Sequence, residues 1–419
     1  MTARTGVLRE IFRPGRTGTL LSAFFYFDVC CAIWVLHGAM APFISQELGL
    51  EPTQKGLLLS VPIVAGALMR FPLGLLSQYI GRRNAAQVEL GILALGLAAG
   101  GLLVDSLAGV IAMGVVLGVA GASFGVALSL GSGFYPPRVK GLAMGIVGAG
   151  NSGAALAVVL VPAFARAYGW RAVYGASIAP VVVAMVLLQV FAQEPPDQER
   201  KRLGDYLKLA VDRDAWVFNL LYMATFGGYI GLTSFLPTLF HDHYGIPKER
   251  IGGYAVGIVL SASVLRVFGG WLADRLGGIR LLVTLAGVIV FATAIAASMP
   301  KSPVAMVAIL VACFSAMGAG SGAVFQLVPL RFGATTAVAC SLIGEVGALA
   351  GGLLPSAMGL GKQTTGGFGP GFLSLTLLAG AVLVVLAMVS RRWTTSWVGA
   401  GGRAHGAPGS EASASRAAI

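Results

Sequence analysis

The chain has 419 residues, of which 56% are apolar and only 11% charged, with a formal net charge of +12. Soluble domains carry about a quarter charged residues, so this composition and a mean hydropathy of +0.83 exclude a water-soluble enzyme and leave an integral membrane protein. Glycine, at 60 residues, is about twice its usual share, which suits helices packed closely in lipid.

Twelve apolar runs follow one another, at 18–43, 55–76, 86–104, 107–133, 142–165, 170–192, 216–240, 252–272, 281–299, 303–327, 337–361 and 368–390. They are too long for barrel strands and do not alternate, so each is expected to be a helix that crosses the bilayer. The first run is full length, so it is expected to be retained rather than cleaved. With the N-terminus inside, 20 Lys and Arg fall on the cytoplasmic side and 7 on the outer side, Arg70 and Arg266 completing the 29. That asymmetry predicts cytoplasmic termini. It also accounts for the positive charge without a nucleic-acid partner. The four cysteines, Cys30, Cys31, Cys313 and Cys340, lie in apolar runs with no CxxC pair, so packing is expected and a metal site is not.

The fifth run carries Gly148, Gly150 and Gly153 as G-x-G-x-x-G, the spacing of a dinucleotide-binding turn. Such a turn needs an acidic residue about 20 positions on, and Trp170-Arg171-Ala172-Val173-Tyr174 stands there instead. The 24 residues from Leu142 to Ala165 hold no charge and span roughly 36 Å as a helix. The glycines are therefore expected to thin one face of a membrane helix, which packs and slides against a neighbour in the other half of the chain. No cofactor is expected.

The polar segment 193–214 divides the chain into 1–192 and 215–392, and 393–419 is small and polar enough to predict disorder. The halves repeat. Arg70-x3-Gly74-x-Leu76-x4-Gly81 recurs 196 positions on as Arg266-x3-Gly270-x-Leu272-x4-Gly277, and Gly148 falls on Gly344 at the same offset. Two similar six-helix bundles resemble the plan of the major facilitator superfamily, an all-α membrane fold that holds substrate at mid-membrane. The loop GLLSQYIGRR (74–83) looks like that superfamily's G-x-L-x-D-R-x-G-R-R, with Gln78 and Tyr79 where Asp and Arg are usual. The second copy keeps Asp274 and Arg275, so a gating role belongs to the second half.

Arg70 and Arg266 are the basic residues placed well inside spans. A charge there costs at least about 2.5–3.5 kcal/mol, so such residues line polar pathways. Two guanidiniums across a pseudo-twofold axis suit a small planar anion, because each fork donates two parallel hydrogen bonds in one plane.

The segments FFYFDVCCAIWVL (24–36), GLLLSVPIVAGALMRFPLGLL (56–76), GLAMGIVGAGNSGAAL (141–156), GLTSFLPTLFHDHYGI (231–246), GGWLADRLGG (269–278) and GAVFQLVP (322–329) resemble the bacterial nitrate/nitrite porter family. The segment around Gly145, Gly148, Gly150 and Gly153 is similar to that family's nitrate signature. Gly344 and Gly347 stand in the partner signature of the eleventh helix, where Ala348 and Ala350 replace glycines and Glu345 is added. The resemblance implies a transporter of the bacterial inner membrane, monomeric, with Arg70 and Arg266 clamping nitrate or nitrite. Asn151 would add an amide donor, and Phe124, Phe226 and Tyr222 would cover the flat anion. Ordinary packing is the competing reading for the aromatics, and an interhelical hydrogen bond for Asn151.

Glu345, His37 and Asp28 are the candidates for carrying a proton with the anion, and Glu89 is expected to be a structural polar contact. The chain length and FYFDV opening resemble the shorter uptake porters, so nitrate/proton symport is expected. Nitrate/nitrite antiport and carriage of another small anion remain open.

Overall fold

The computed structural model describes residues 16–135, 137–196 and 203–403. The basic residues before 16, the run 200–202 and the tail beyond 403 lie outside the described residues. Twelve helices are long and apolar enough to cross a membrane. They are α1 (Thr17–Leu48), α2 (Pro52–Ile80), α3 (Arg82–Leu102), α4 (Leu107–Ser132), α5 (Ala143–Tyr168) and α6 (Trp170–Phe191) in the first half. The second half holds α7 (Arg213–Asp242), α8 (Lys248–Leu276), α9 (Gly278–Ala297), α10 (Pro303–Phe332), α11 (Ala339–Thr365) and α12 (Gly369–Ser396). Helices are the form these runs must take, since lipid offers the backbone no partner and each turn satisfies its own. Their ends are set by polar caps: the Asp212 carboxylate accepts from the Asp214 and Ala215 amides at 2.7 and 3.0 Å, opening α7. Gly81 and Gly277, equivalent in the repeat, take φ of 88° and 97° and turn α2 into α3 and α8 into α9, where a side chain would be strained.

The halves meet through α2 against α11, α5 against α8, and α1 against α7. The first two pairings exchange under the repeat, and the third maps onto itself. The described ends of the chain, near Thr17 and Arg403, and the described residues 193–196 and 203–212 share one face, here called the linker face. At the opposite face, polar contacts join the halves. Lys55 Nζ lies 2.6 Å from Asp242 Oδ2, Arg166 lies 3.6 Å from Glu249, and Lys248 bonds Gln46. Deeper in, the Ser60 and Ser356 hydroxyls are 2.7 Å apart. At the linker face, the described ion pairs stay within one half. Asp214 accepts from Arg331 and Arg392, and from Trp393 Nε1 at 2.8 Å, tying α7, α10 and α12. In the first half, the Glu194 carboxylate accepts from the Arg82 and Arg83 amides at 2.8 and 3.0 Å, an anion at a helix N-terminus.

Two expectations are corrected. The first helix runs past 43 to Leu48, because its polar end finds partners: Glu47 accepts from Trp170 Nε1 at 2.7 Å and pairs with Arg171 at 2.6 Å. The start of the expected disordered tail is also corrected: residues 393–403 are ordered, and the rest of that tail lies outside the described residues. α12 continues to Ser396, Trp397 packs on Trp393 with centroids 5.0 Å apart, and the backbone of Gly401 lies against Gly277. The glycines that looked like a disorder signal allow two backbones to touch there.

Candidate functional site

Arg70 of α2 and Arg266 of α8 are 5% and 8% exposed. Arg70 Nε donates to the Gly121 carbonyl at 3.0 Å, and its Nη1 donates across the half boundary to the Gly344 carbonyl. Arg266 Nη2 donates to the Tyr222 hydroxyl at 3.1 Å. Arg70 Nη2 and Arg266 Nη1 are buried without a partner. Buried polar groups are nearly always hydrogen-bonded, so two orphaned cationic N–H groups mark a place for an acceptor.

Both arginines flank the same two rings. Arg70 Cζ lies 5.3 Å from the Phe124 centroid and 5.5 Å from that of Phe226; for Arg266 the distances are 5.4 and 5.7 Å. Phe124 and Phe226 belong to opposite halves and stack with centroids 6.2 Å apart and planes 25° from parallel. Tyr222 continues the stack, 5.0 Å from Phe226 and 9° from parallel. Cation–π attraction offsets part of the cost of burying each guanidinium, while the like charges repel across the slot.

Four irregular turns supply these groups. α1 breaks at Val35, just after Trp34; α4 breaks at Gly121–Ala122, just before Phe124; α5 tightens to a 3-10 turn at Ala149–Asn151; α7 widens to a π turn at Met223–Gly227, which holds Phe226. Such departures inside long helices often mark functional sites. Trp34 and Phe325 were not legible as site residues. Trp34 lies 5.5 Å from Arg70 Cζ, and its Nε1 donates to the Pro62 carbonyl at 2.8 Å. Phe325 packs on Phe124 and Tyr222 at 6.0 and 5.0 Å. Both stand in segments rich in apolar residues, where no spacing separates a site aromatic from a packing one.

The signature glycines divide by role. A Cβ on Gly148 would lie 3.6 Å from Arg266 Nε, and one on Gly344 would lie 3.0 Å from Arg70 Nη1. Each half thus leaves room for the other half's arginine. For Gly150 and Gly153 the contacts correct the expectation that the fifth-helix glycines pack against the other half. Gly150 faces Phe24, Phe27 and Asp28, and Gly153 faces the Asp28 carbonyl, all on α1 of the same half. Gly347 faces Tyr222 of α7 in the equivalent way, and nothing lies within 4 Å of a Cβ on Gly145. The physical reason is local: α1 crosses α5 backbone to backbone, which only glycine permits.

Asn151 is buried, and its Oδ1 accepts from the Cys31 thiol at 3.5 Å, while its backbone carbonyl accepts from Tyr229 of α7 at 3.2 Å. The three proton candidates do not come together. Glu345 follows Gly344 and is coupled by charge to Arg70. Asp28 accepts from Ser152 at 2.6 Å, bracing α1 on α5, and His37 Nε2 shares a 2.8 Å bond with the Tyr174 hydroxyl. Asp274 is exposed at the linker face, and Arg275 Cζ lies 3.9 Å over the Trp271 ring. Cys30, Cys31, Cys313 and Cys340 are buried and form no disulfide.

Comparison with known proteins agrees with this architecture. Residues 22–355 match the model of the Major Facilitator Superfamily. The chain is 30% identical over 358 residues to the nitrite extrusion protein of Bacillus subtilis, covering 84% of this chain and 90% of that protein. It is 32% identical over 339 residues to the probable nitrate/nitrite transporter NarK2 of Mycobacterium tuberculosis, covering 78% and 84%. It is 27% identical to the probable nitrate/nitrite antiporter NarK1 of Thermus thermophilus, covering 91% of each. The inward-facing, occupied structure of a bacterial homologue of the human lysosomal transporter Spinster superposes with a TM-score of 0.70 at 17% identity, covering 93% of this chain and 99% of that one.

Proposed function

The chain belongs to the nitrate/nitrite porter family of the Major Facilitator Superfamily, and from that premise we propose that it moves nitrate or nitrite across the bacterial cytoplasmic membrane by alternating access. Arg70 and Arg266 clamp the planar anion between Phe124 and Phe226. The observation that carries the reading is the pair of buried guanidiniums flanking one ring stack, each with an unpartnered N–H group. Two carbon contact distances of about 3.5 Å make about 7 Å, so the Phe124 and Phe226 planes, 25° from parallel with centroids 6.2 Å apart, part to about that spacing to admit one flat layer. A tetrahedral oxyanion needs a wider slot. The phenyl faces are themselves electron-rich and attract no anion; they exclude water and limit thickness, while the arginines supply the attraction. A weakly hydrated monovalent anion loses least on entering.

The polar ties between halves at the face opposite the linker, with ion pairs at the linker face kept within a half, support a state closed on the former side. The linker face is the cytoplasmic one by its excess of basic residues. Substrate dependence follows from charge. Without an anion the two cations repel and oppose closure, and an anion between them removes that penalty. The expected coupling is nitrate/proton symport for uptake, with Glu345 beside Arg70 as one acid able to respond to occupancy. Antiport of nitrate against nitrite is the second reading, favoured by the same two cations, which exchange one monovalent anion for another without a proton.

Labelled nitrate is expected to accumulate in proteoliposomes holding the purified protein. Absence of flux under every gradient overturns the reading. An acid-outside gradient drives accumulation if a proton accompanies the anion, and preloaded nitrite drives it if the anions exchange.

The Lys55–Asp242 pair gives a further expected result. Its side chains are 19% and 18% exposed, so it contributes about 0.5–1 kcal/mol, a factor of roughly 2–5 in population. Asp242→Asn is expected to raise labelling of Ser356→Cys by a membrane-impermeant maleimide by that factor. Unchanged labelling would show that the pair does not hold this face shut.

A further inference from the structure

Glu89 of α3 is fully buried within a membrane span. Its Oε2 accepts a hydrogen bond from the Tyr26 hydroxyl of α1, and its Oε1 meets no donor. An ionised carboxylate presents about four acceptor sites, and here one is filled. The titratable groups acting on or near it are Tyr26 and Cys30, both of α1 and both without positive charge. α2, α4 and α6 also pack on α3, and among the described residues no charged side chain of theirs acts on Glu89. A buried anion with one donor and no counter-ion is far costlier than a neutral acid with one unsatisfied oxygen. The side chain is therefore held as the acid in this conformation.

Its surroundings connect it to the anion site. Tyr26 lies on the stretch of α1 into which Gly150 and Gly153 of α5 fit at Phe24, Phe27 and Asp28. Cys30 is adjacent to Cys31, whose thiol bonds Asn151, and Ser123 beside Cys30 immediately precedes Phe124. Any movement of α1 against α5 that accompanies opening of the slot also moves Tyr26, the one side-chain hydrogen-bond partner of the Glu89 carboxyl among the described residues.

We propose that Glu89 is a proton-binding site of the transport cycle, loaded in the described conformation and discharged when α1 shifts and water reaches Oε1. On discharge the O–H bond of the acid breaks, the proton passes to water, and the carboxylate keeps the Tyr26 hydroxyl as donor. This rests on the proton-linked reading of the anion site.

The test compares wild type, Glu89→Gln and Tyr26→Phe in proteoliposomes by two measurements: nitrate–nitrate exchange at equal pH, and nitrate accumulation driven by an acid-outside gradient. Glutamine keeps the shape and neutrality of the acid but binds no proton. Glu89→Gln is expected to exchange nitrate normally and to lose gradient-driven accumulation. Accumulation at the wild-type level overturns the proposal and leaves Glu89 a structural contact, and loss of exchange as well overturns it by placing the residue in the anion step. If Glu89→Gln does not fold, Tyr26→Phe decides: a shifted pH dependence of accumulation supports the site, and an unchanged one sinks it. Absence of gradient-driven accumulation in the wild type is a separate result, which removes the symport reading and the proposal with it.

Discussion

Arg70→Lys is expected to lower nitrate transport by about 100-fold, and Arg266→Lys by a similar or smaller factor. Removing one member of a buried, hydrogen-bonded charge interaction costs about 2–5 kcal/mol, and about 2.8 kcal/mol is a factor of 100. Lysine retains the charge, so a point-charge account of the site predicts little change. The geometry predicts otherwise. Arg70 divides its donors among the Gly121 carbonyl, the Gly344 carbonyl and the unpartnered Nη2. One ammonium cannot reach two carbonyls on different helices and an anion in the slot while lying over both phenyl rings. Arg266 has one protein partner, Tyr222, and so less to lose. The readout that separates binding from turnover is nitrate-dependent thermal stabilisation in detergent, since a ligand that binds only the folded state raises stability by about 2.7 kcal/mol at 100 times its Kd. Nitrate is expected to raise the Tm of the wild type and to leave both lysine variants unmoved. A lysine variant that still gains stability from nitrate removes the planar clamp.

The architecture was legible because lipid leaves so few choices. Long uncharged runs must be helices, and a 196-residue repeat fixes how two bundles relate. The two arginines were legible for the same reason, since a charge in a span needs an explanation. What the sequence did not disclose is how backbone enters the site. The carbonyls of Gly121 and Gly344 hold Arg70, yet a carbonyl has no sequence signature of its own. The breaks after Trp34 and before Phe124, and the π turn that holds Phe226, are equally silent, because the residues there are ordinary helix formers in lipid. The signature glycines were recognised, while the neighbour of Gly150 and Gly153 was assigned to the wrong half. Periodicity places residues on a helix face, and it does not say which helix that face meets.

That reassignment changes what substitutions should do. Gly153→Ala is expected to be the most damaging of the signature variants. Its Cβ would overlap the Asp28 carbonyl oxygen, and neither backbone can yield without moving α1 away from α5. Overpacking of this kind costs about 1–3 kcal/mol or more, and here the displaced helix carries Asp28, which braces Ser152, and Cys31, which bonds Asn151. Gly153→Ala should therefore lower both the Tm and the transport rate. Gly150→Ala, with contacts of 2.9–3.0 Å to Phe27, Asp28 and Phe24, should do so less. Gly148→Ala meets Arg266 Nε at an ordinary 3.6 Å, so its fold and Tm should be preserved. Gly148→Leu, by contrast, carries its branch toward Arg266 and should raise the KM for nitrate without unfolding the protein. The ordering discriminates between two uses of the same motif. If these glycines served sliding against the other half, Gly148 and Gly153 variants would lose transport alike with stability unchanged. If they seat α5 on α1 and leave room for an arginine, stability loss belongs to Gly153 and affinity loss to Gly148.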